Sequence, residues 1–499
     1  MSAASTVGVV GAGTMGAGIA QLACAAGMRA RLHDPVPEAL ERGLATLGRG
    51  LAKLEEKGRI GPGESDAAAG RVSAAPDIED LAGCDLVIEA APERAELKRE
   101  LFARLADVCG PDTVLATNTS SIPVTSLAGA AGHPERVVGM HFFNPPPLMR
   151  LLEVIPAEQT GERAVAVARA TGEAMGKRVI VAADGPGFLV NRCGRPFGSE
   201  ALRVVGEGIA GPAQVDRICR LGAGFRMGPF ELMDLVGIDV GLEVAKSFTE
   251  LSFGEPRWKP SPLQARMVAA GWLGRKTGRG FYEYGEGGEY RPGDPKPIEP
   301  SGEGPPVRLV GAPAELRERA AGLGLEIDAS DGPVLVSCRT ASLAAQRGAE
   351  DACGIMIGPP LSTARIGEAT RLPGTSDATC RAAESFFAAL GLRTEWVGDA
   401  PGLVLRRIVC QLVNEAAFAV GEGVGSAEDV DAGMTLGLNH PRGPFEWADV
   451  IGAHNVLETI DGLWHERHEE RYRAAPLLRR AAALGVSLRE AAAGLTAPP

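Results

Sequence analysis

Two stretches of this chain repeat each other at one fixed offset. "DGPGFLVNR" at 184–192 matches "DAPGLVLRR" at 399–407, and "MGPFELMDLVG" at 227–237 matches "RGPFEWADVIG" at 442–452, both displaced by 215 positions (184 to 399, 227 to 442). The offset holds without a gap through Glu207/Glu422, Asp216/Asp431 and Asp234/Asp449. Unrelated helical segments do not stay in step for so long, so the 499 residues are built from two copies of one plan. Carried upstream, the offset sets Glu368 opposite Glu153 and Gly354 opposite Gly139. It sets Met356 opposite His141, Pro359 opposite Asn144 and Arg406 opposite Asn191. The second copy keeps the packing glycines and loses the reactive side chains. It reads as a scaffold, and the chemistry is expected in the first copy.

Within that first copy, residues 5–183 alternate strand and helix signals. "TVGVV", "RARLHD", "DLVIEA", "TVLATN", "RVVGMHF", "LLEVIP" and "RVIVA" are the strands, which predicts a doubly wound, mostly parallel α/β sheet. "LERGLATLGRGLAKLEEKGRI" has helical spacing and reads as an excursion off that sheet. Strand signals stop at Asp184, and an all-α domain is expected over 184–285. Residues 286–306 are Gly, Pro and charge with nothing to bury, as a linker would be. A degenerate α/β segment (307–398) and a second helical domain (399–499) follow from the repeat.

"VGVVGAGTMGAGIA" places Gly11, Gly13 and Gly16 as G-x-G-x-x-G between a strand and a helix, the setting this motif requires. The first glycine permits the tight turn, the second admits a pyrophosphate to the backbone, and the third lets helix and strand close up. Thr14 and Met15 open the helix, whose N-terminal N–H groups and dipole favour the diphosphate. Asp34 ends the next strand, 18 residues after Gly16 (34 − 16). A carboxylate there accepts from a ribose hydroxyl and repels a 2′-phosphate, so a Rossmann-type domain holding NAD is expected. Arg29 and Arg31, close by, leave NADP open.

"VVGMHFFNPPPLMRLLEVIP" (137–156) raises a different question, because His141 and Glu153 lie in two apolar strands joined by a proline turn. A lone buried carboxylate costs several kcal/mol, roughly, unless something compensates it. An imidazole can do so, and the carboxylate in return fixes the imidazole's tautomer, which makes a general base for a hydroxyl. Spacing alone equally allows a structural pair, or Glu153 pointing at solvent from an edge strand.

"ATNTSSIPVTSL" puts Asn118 and Ser120 just beyond a strand's carboxyl end, where ligands of such sheets bind, although turn-forming and capping roles also suit these residue types. "NPPP" stiffens the link from His141 to Asn144, and Asn191 falls in the first turns of the helical domain. Lys53, Lys57 and Arg59 could receive the phosphates of a bulky substrate or be a solvated helix face.

A net charge of −12 disfavours a general nucleic-acid binder. No apolar run is long enough to span a membrane, and strand signals begin at once, so a cytoplasmic protein is expected. Nine scattered cysteines without C-x-x-C spacing read as reduced buried thiols, with no metal site.

Taken together, "GAGTMGAGIA", "NTSSIPVTSL", "GMHFFNPPPLMRLLEVI", "DGPGFLVNR" and "GRKTGRGFYEY" resemble the L-3-hydroxyacyl-CoA dehydrogenase family over residues 5 to about 285. The length and degenerate second half resemble its bacterial 3-hydroxybutyryl-CoA and 3-hydroxyadipyl-CoA members, the latter type belonging to phenylacetate degradation. The resemblance implies NAD-dependent oxidation of a 3-hydroxyacyl-CoA, as in β-oxidation of fatty acids. It makes His141 the catalytic base and Glu153 its partner, with Ser120 and Asn191 on the substrate and Asn144 nearby. It sets Asp34 on the ribose, Glu93, Lys98 and Asn118 at the cofactor, and Lys57 near the coenzyme A phosphates, where a serine of the family falls on Gly50. A homodimer is a further expectation, and the gapless repeat suggests that the two helical copies pack as a pseudo-dimer. Relatives acting on gulonate, or serving as crystallins without catalysis, are the alternatives.

Overall fold

A computed structural model describes residues 2–285, 290, 291, 293–346 and 350–496. The chain folds as two compact units, Met1–Asn191 with Gly423–Leu438, and Arg192–Glu422 with Asn439–Pro499.

The first unit is built on an eight-stranded sheet in the order β3-β2-β1-β4-β5-β6-β7-β8. Its strands are β1 Thr6–Val10, β2 Arg29–His33, β3 Val72–Ala75, β4 Leu86–Glu89, β5 Val114–Thr117, β6 Val137–Phe142, β7 Leu151–Pro156 and β8 Arg178–Val181. All neighbours run parallel except β6 and β7, which are antiparallel. The apolar runs read as strands are strands, since a sheet covered on both faces buries every side chain of β1, β4 and β5. β3 carried no signal, because an edge strand of four residues, two of them exposed, shows no apolar pattern. The expected excursion is the helix Pro37–Glu56, which buries Leu40, Gly43, Leu47 and Leu51 at helical spacing. The helix Ala427–Gly437 of the second copy packs on β7 and β8, where a Cβ on Gly433 would meet Val190 and one on Gly437 would meet Leu151.

The second unit contains the first copy's helices from Arg192 onward, the second sheet and the rest of the second helical domain. That sheet has five strands in the order β13-β12-β11-β10-β9: β9 Arg308–Val310, β10 Val334–Ser337, β11 Ala352–Ile357, β12 Ile366–Arg371 and β13 Arg393–Trp396. β11, β12 and β13 stand 215 positions beyond β6, β7 and β8, residue for residue. The order corresponds to β8 through β4 of the first sheet, with the half that carries the glycine loop missing. The helix Pro212–Ala223 packs on β12, mirroring the helix Ala427–Gly437 on β7.

Within this unit the two helical copies meet through exchanged ion pairs. Arg192 bonds Glu415 (2.9 Å) and Glu422 (2.6 Å), while Arg407 bonds Glu200 and Glu207 (2.8 Å), the same contacts displaced by 215. Such self-complementary pairing is the geometry of a twofold dimer interface. Residues 286–289 and 292 of the expected linker lie outside the described residues. The remainder is not idle: Tyr290 donates to Glu231 (3.1 Å) and Asp294 accepts from Arg220 (2.6 Å), because the buried Glu231 and Arg220 take partners from it. All nine cysteines are buried thiols outside any disulfide, and among the described residues no helix is long and apolar enough to cross a membrane.

Candidate active site

The carboxyl edge of the first sheet carries the candidate residues in strand order. Asp34 follows β2, Gly11 to Gly16 follow β1, Glu93 follows β4, Asn118 and Ser120 follow β5, and His141 lies at the end of β6. The strand order reverses at β1, the point where such sheets open a crevice for ligands.

Each glycine of the loop has its own physical reason. Gly11 has φ +98, and a Cβ there would lie 2.7 Å from the Ala90 carbonyl oxygen. A Cβ on Gly16 would fall 1.8 Å from the Gly11 carbonyl oxygen, so the helix Thr14–Ala25 can approach the strand only with glycine. A Cβ on Gly13 would meet nothing within 4 Å, which leaves open space over the backbone where a diphosphate would come. Gly13 caps that helix without any side-chain bond, so its first N–H groups stay available. A cavity of about 850 Å³ runs beside the loop, lined by Gly13, Thr14, Met15, Asp34, Pro92 and Arg104 among others. The Asp34 carboxylate accepts from Ala12 N–H (2.9 Å) and Val36 N–H (3.0 Å), and still has lone pairs for a ribose. Arg29 donates to the Thr6 hydroxyl (3.2 Å) and Arg31 to the Asp80 carbonyl.

His141 and Glu153 are register partners across β6 and β7. His141 Nδ1 stands 2.6 Å from Glu153 Oε2, and Glu153 is fully buried. The other oxygen, Oε1, accepts from Leu189 N–H (3.2 Å) and Val190 N–H (3.0 Å), at the start of the helix Val190–Gly206. Glu153 therefore holds both the imidazole and the helix entry. The second copy separates these jobs. Glu368 accepts from Val404 N–H (2.7 Å) and Leu405 N–H (3.3 Å) while facing Met356 across the register. With no imidazole to balance it, burial pushes the Glu368 carboxyl up to about 8.

Asn118 does not extend freely toward a ligand: its Oδ1 accepts from Phe142 N–H (2.8 Å) and ties β5 to the end of β6. Ser120 is half-buried with its N–H on Glu93 (2.9 Å), and its hydroxyl makes no hydrogen bond among the described residues. Asn191 is half-buried in the first turn of the helix Val190–Gly206. Asn144 is exposed at the head of the proline turn, and that turn is pinned by Lys177, which donates to Pro146 and Met149 carbonyls at 2.6 Å each. Lys57 is exposed at the end of the helix Pro37–Glu56. A Cβ at Gly50 would lie 2.2 Å from Gln21 Oε1 on the neighbouring helix, so a serine there would require the Gln21 amide to swing aside.

Lys98 departs from the expectation of a cofactor contact. It is 1% exposed and its ammonium is spent on Glu89 (2.7 Å), Glu93 (3.2 Å) and the Ala91 carbonyl (3.3 Å). Glu89, which sequence reasoning missed, is fully buried and also accepts from Thr117 (2.7 Å) and Ala91 N–H (2.6 Å). The signal was available: "DLVIEA" puts a carboxylate in an apolar strand, as "LLEVIP" does. Burial pushes the Glu93 carboxyl up, but Lys98 and bonds from Thr119, Ser120 and Ser121 outweigh it and hold the group below its usual range. Glu93 is thus an anion that fixes the turn bearing Ser120.

A nucleotide loop, an acid for the ribose and a buried imidazole–carboxylate pair on one sheet edge define a dinucleotide-dependent dehydrogenase. The family models agree and narrow the class. The 3-hydroxyacyl-CoA dehydrogenase NAD binding domain matches residues 6–185 once, and the C-terminal domain of the same family matches twice, at 187–284 and 402–497. The 3-hydroxyadipyl-CoA dehydrogenase of Escherichia coli K12 is 36% identical over 494 residues, covering 96% of this chain and 98% of that protein. A probable 3-hydroxybutyryl-CoA dehydrogenase of Deinococcus radiodurans is 43% identical over 277 residues, 56% of this chain and 99% of that one. The crystal structure of 3-hydroxybutyryl-CoA dehydrogenase from Escherichia coli K12 superposes with a TM-score of 0.87 at 35% identity, covering 96% of this chain and 98% of that chain. The chain belongs to the 3-hydroxyacyl-CoA dehydrogenase family.

Proposed function

We propose that the chain oxidises (S)-3-hydroxyacyl-CoA thioesters to 3-oxoacyl-CoA with NAD, using the first copy alone for the chemistry. The observation that carries this is the His141–Glu153 pair at 2.6 Å on the sheet edge that bears the open glycine loop. Gly11 to Gly16 and Asp34 would hold NAD, which would supply the hydride acceptor for C3.

His141 has Nδ1 turned to Glu153, so its Nε2 is the nitrogen left to take the proton of the 3-hydroxyl. As the imidazole charges, the buried carboxylate beside it balances the charge without reorganisation. Ser120 and Asn191 donate to the hydroxyl and thioester oxygens and orient C3. In the reducing direction His141 returns the proton. Asn118 and Lys98 are positioning residues in this reading, the first on the β6 end and the second on Glu93. Lys57 offers a cation to the coenzyme A phosphates, and Asn144 borders the substrate. The exchanged ion pairs of the helical copies support the inference that the chain carries its own dimer partner. The protein is read as cytoplasmic.

The test is NADH oxidation with acetoacetyl-CoA beside NAD reduction with gulonate. Acetoacetyl-CoA should be turned over and gulonate should not. His141→Ala should lower kcat by about 10²–10⁴-fold, the usual worth of a general base, with NAD affinity nearly unchanged. Turnover of gulonate alone, or loss of NAD binding with the imidazole, would overturn the reading.

A further inference from the structure

The helix Val190–Gly206 carries a second polar residue one turn beyond Asn191. Residues four apart on a helix share a face and stand about 6 Å apart along the axis, a separation set by the helix itself. The residue is Arg195, and it lines a cavity of about 140 Å³ within the second unit. Among the described residues that line this cavity there is no Asp or Glu, and four are cations: Arg195, Arg203, Lys259 and Arg471. Glu469 pairs with Arg203 and with Arg471 (3.2 Å), and Lys259 is exposed at the rim.

Arg195 is not balanced. Its guanidinium lies 4.8 Å over the Phe248 ring and reaches only the Gly241 carbonyl, at 3.4 Å. The carboxylates of the adjoining pocket are taken, Glu200 by Arg407 and Tyr472, Glu415 by Arg192 and Arg257. Burial without a carboxylate partner pushes the group down to about 10, which still leaves it charged at neutral pH. Trp258 lines the same cavity, and its indole N–H is buried without a hydrogen bond among the described residues. Buried donors are nearly always satisfied, and a half-buried cation without a carboxylate partner is costly, so this cavity is built to receive an anion.

The rest of the lining narrows the anion. Leu202, Met233 and Trp258 supply apolar wall, and the volume suits about four or five water-sized groups. That is the space of a short aliphatic end with a planar carboxylate, which a guanidinium grips through two parallel bonds. We propose that Arg195 binds the distal carboxylate of a dicarboxylic 3-hydroxyacyl chain and so sets acyl specificity. The inference rests on the acyl-CoA dehydrogenase reading above.

The experiment compares kcat/KM for 3-hydroxyadipyl-CoA and 3-hydroxyhexanoyl-CoA, six-carbon chains that differ in a terminal carboxylate against a methyl group. The wild type should prefer the adipyl substrate. Arg195→Met should cut that preference by about 10–100-fold, the worth of charge-assisted hydrogen bonds, chiefly through KM. Arg195→Lys should restore part of it, which a merely structural role would not do. Should Arg195→Met fail to fold, Lys259→Glu at the exposed rim should raise KM for the adipyl substrate and spare the other. Equal loss on both substrates would overturn the proposal, since it would mean a phosphate of the shared coenzyme A was the anion. A wild type indifferent to the carboxylate would overturn it too, while turnover of neither thioester would instead sink the dehydrogenase reading itself.

Discussion

Glu153→Gln isolates the proton-handling role of the carboxylate from its structural one. In the wild type Oε2 faces His141 Nδ1 at 2.6 Å, and Oε1 accepts from Leu189 and Val190 N–H at 3.2 and 3.0 Å. An amide is nearly the same shape, but one end now donates. If its oxygen stays on the two main-chain N–H groups, its NH₂ faces Nδ1, and the imidazole must carry its proton on Nε2. The base then has no lone pair toward a hydroxyl. The flipped amide would keep the tautomer but set NH₂ against two buried N–H donors, leaving each unsatisfied at about 1–3 kcal/mol. That cost, roughly 2–6 kcal/mol for the pair, selects the wrong tautomer. A histidine locked this way costs on the order of 10³–10⁴ in kcat, or about 4–5.5 kcal/mol of barrier.

The assay is steady-state oxidation of 3-hydroxybutyryl-CoA with NAD, with NADH affinity measured separately by fluorescence and the tautomer read by ¹⁵N NMR of labelled histidine. Binding should stay within about twofold, because Gly13 and Asp34 are untouched, while kcat falls and Nε2 becomes the protonated nitrogen. Retention of more than about a tenth of wild-type kcat by Glu153→Gln would refute the reasoning, as would an unprotonated Nε2 in a variant that is slow.

Three further outcomes follow from particular contacts. Gly13→Ala should leave the melting temperature of the free protein unchanged, since its Cβ meets nothing within 4 Å and φ is −70, yet weaken NAD binding more than about tenfold by occupying the space of a pyrophosphate; unchanged calorimetric affinity would contradict that. Arg407→Met should destabilise the chain by about 3–5 kcal/mol in urea, because it leaves the buried Glu200 of the other copy with only the Tyr472 hydroxyl and takes one of two arginines from Glu207, and a loss under about 1 kcal/mol would argue against the exchanged pairing as a stabilising interface. His440 is packed between Phe197 and Phe225, and burial pushes its imidazole down to about 4. The unfolded chain therefore takes up a proton near pH 6.5 that the folded chain refuses until about 4, so stability should fall by roughly 3 kcal/mol as pH drops through that window. His440→Leu should flatten that slope in denaturation curves taken from pH 7 to 4.

Much of the first unit was legible because its determinants are local. The strand, the Gly11–Gly16 loop and the acid after β2 depend chiefly on backbone conformation and on close approach inside one strand–turn–helix, as of Gly16 to Gly11, which residue types report directly. The repeat was legible for the same reason, as identical local needs recur 215 positions on. The His141–Glu153 pair was half legible. A hairpin of two apolar strands suggests that the two meet, but only the antiparallel register and the burial of β7 rule out a solvent-facing carboxylate.

What the tertiary structure alone decided was the balance of charge. Lys98 reads as a cofactor contact by position, yet two carboxylates and a carbonyl surround its ammonium. Gly50 reads as a lost serine, yet Gln21 occupies the space. Arg192 and Arg195 are three residues apart on one helix; the first is matched by carboxylates more than 220 positions away and the second by none. Local propensity writes helices, strands and turns into neighbouring residues, whereas the cost of a buried charge depends on what lies within a few ångströms from any part of the chain. The sequence by itself determined the nucleotide half, the helical half and their duplication. Folding determined which polar groups were spent on structure and which were left for a ligand.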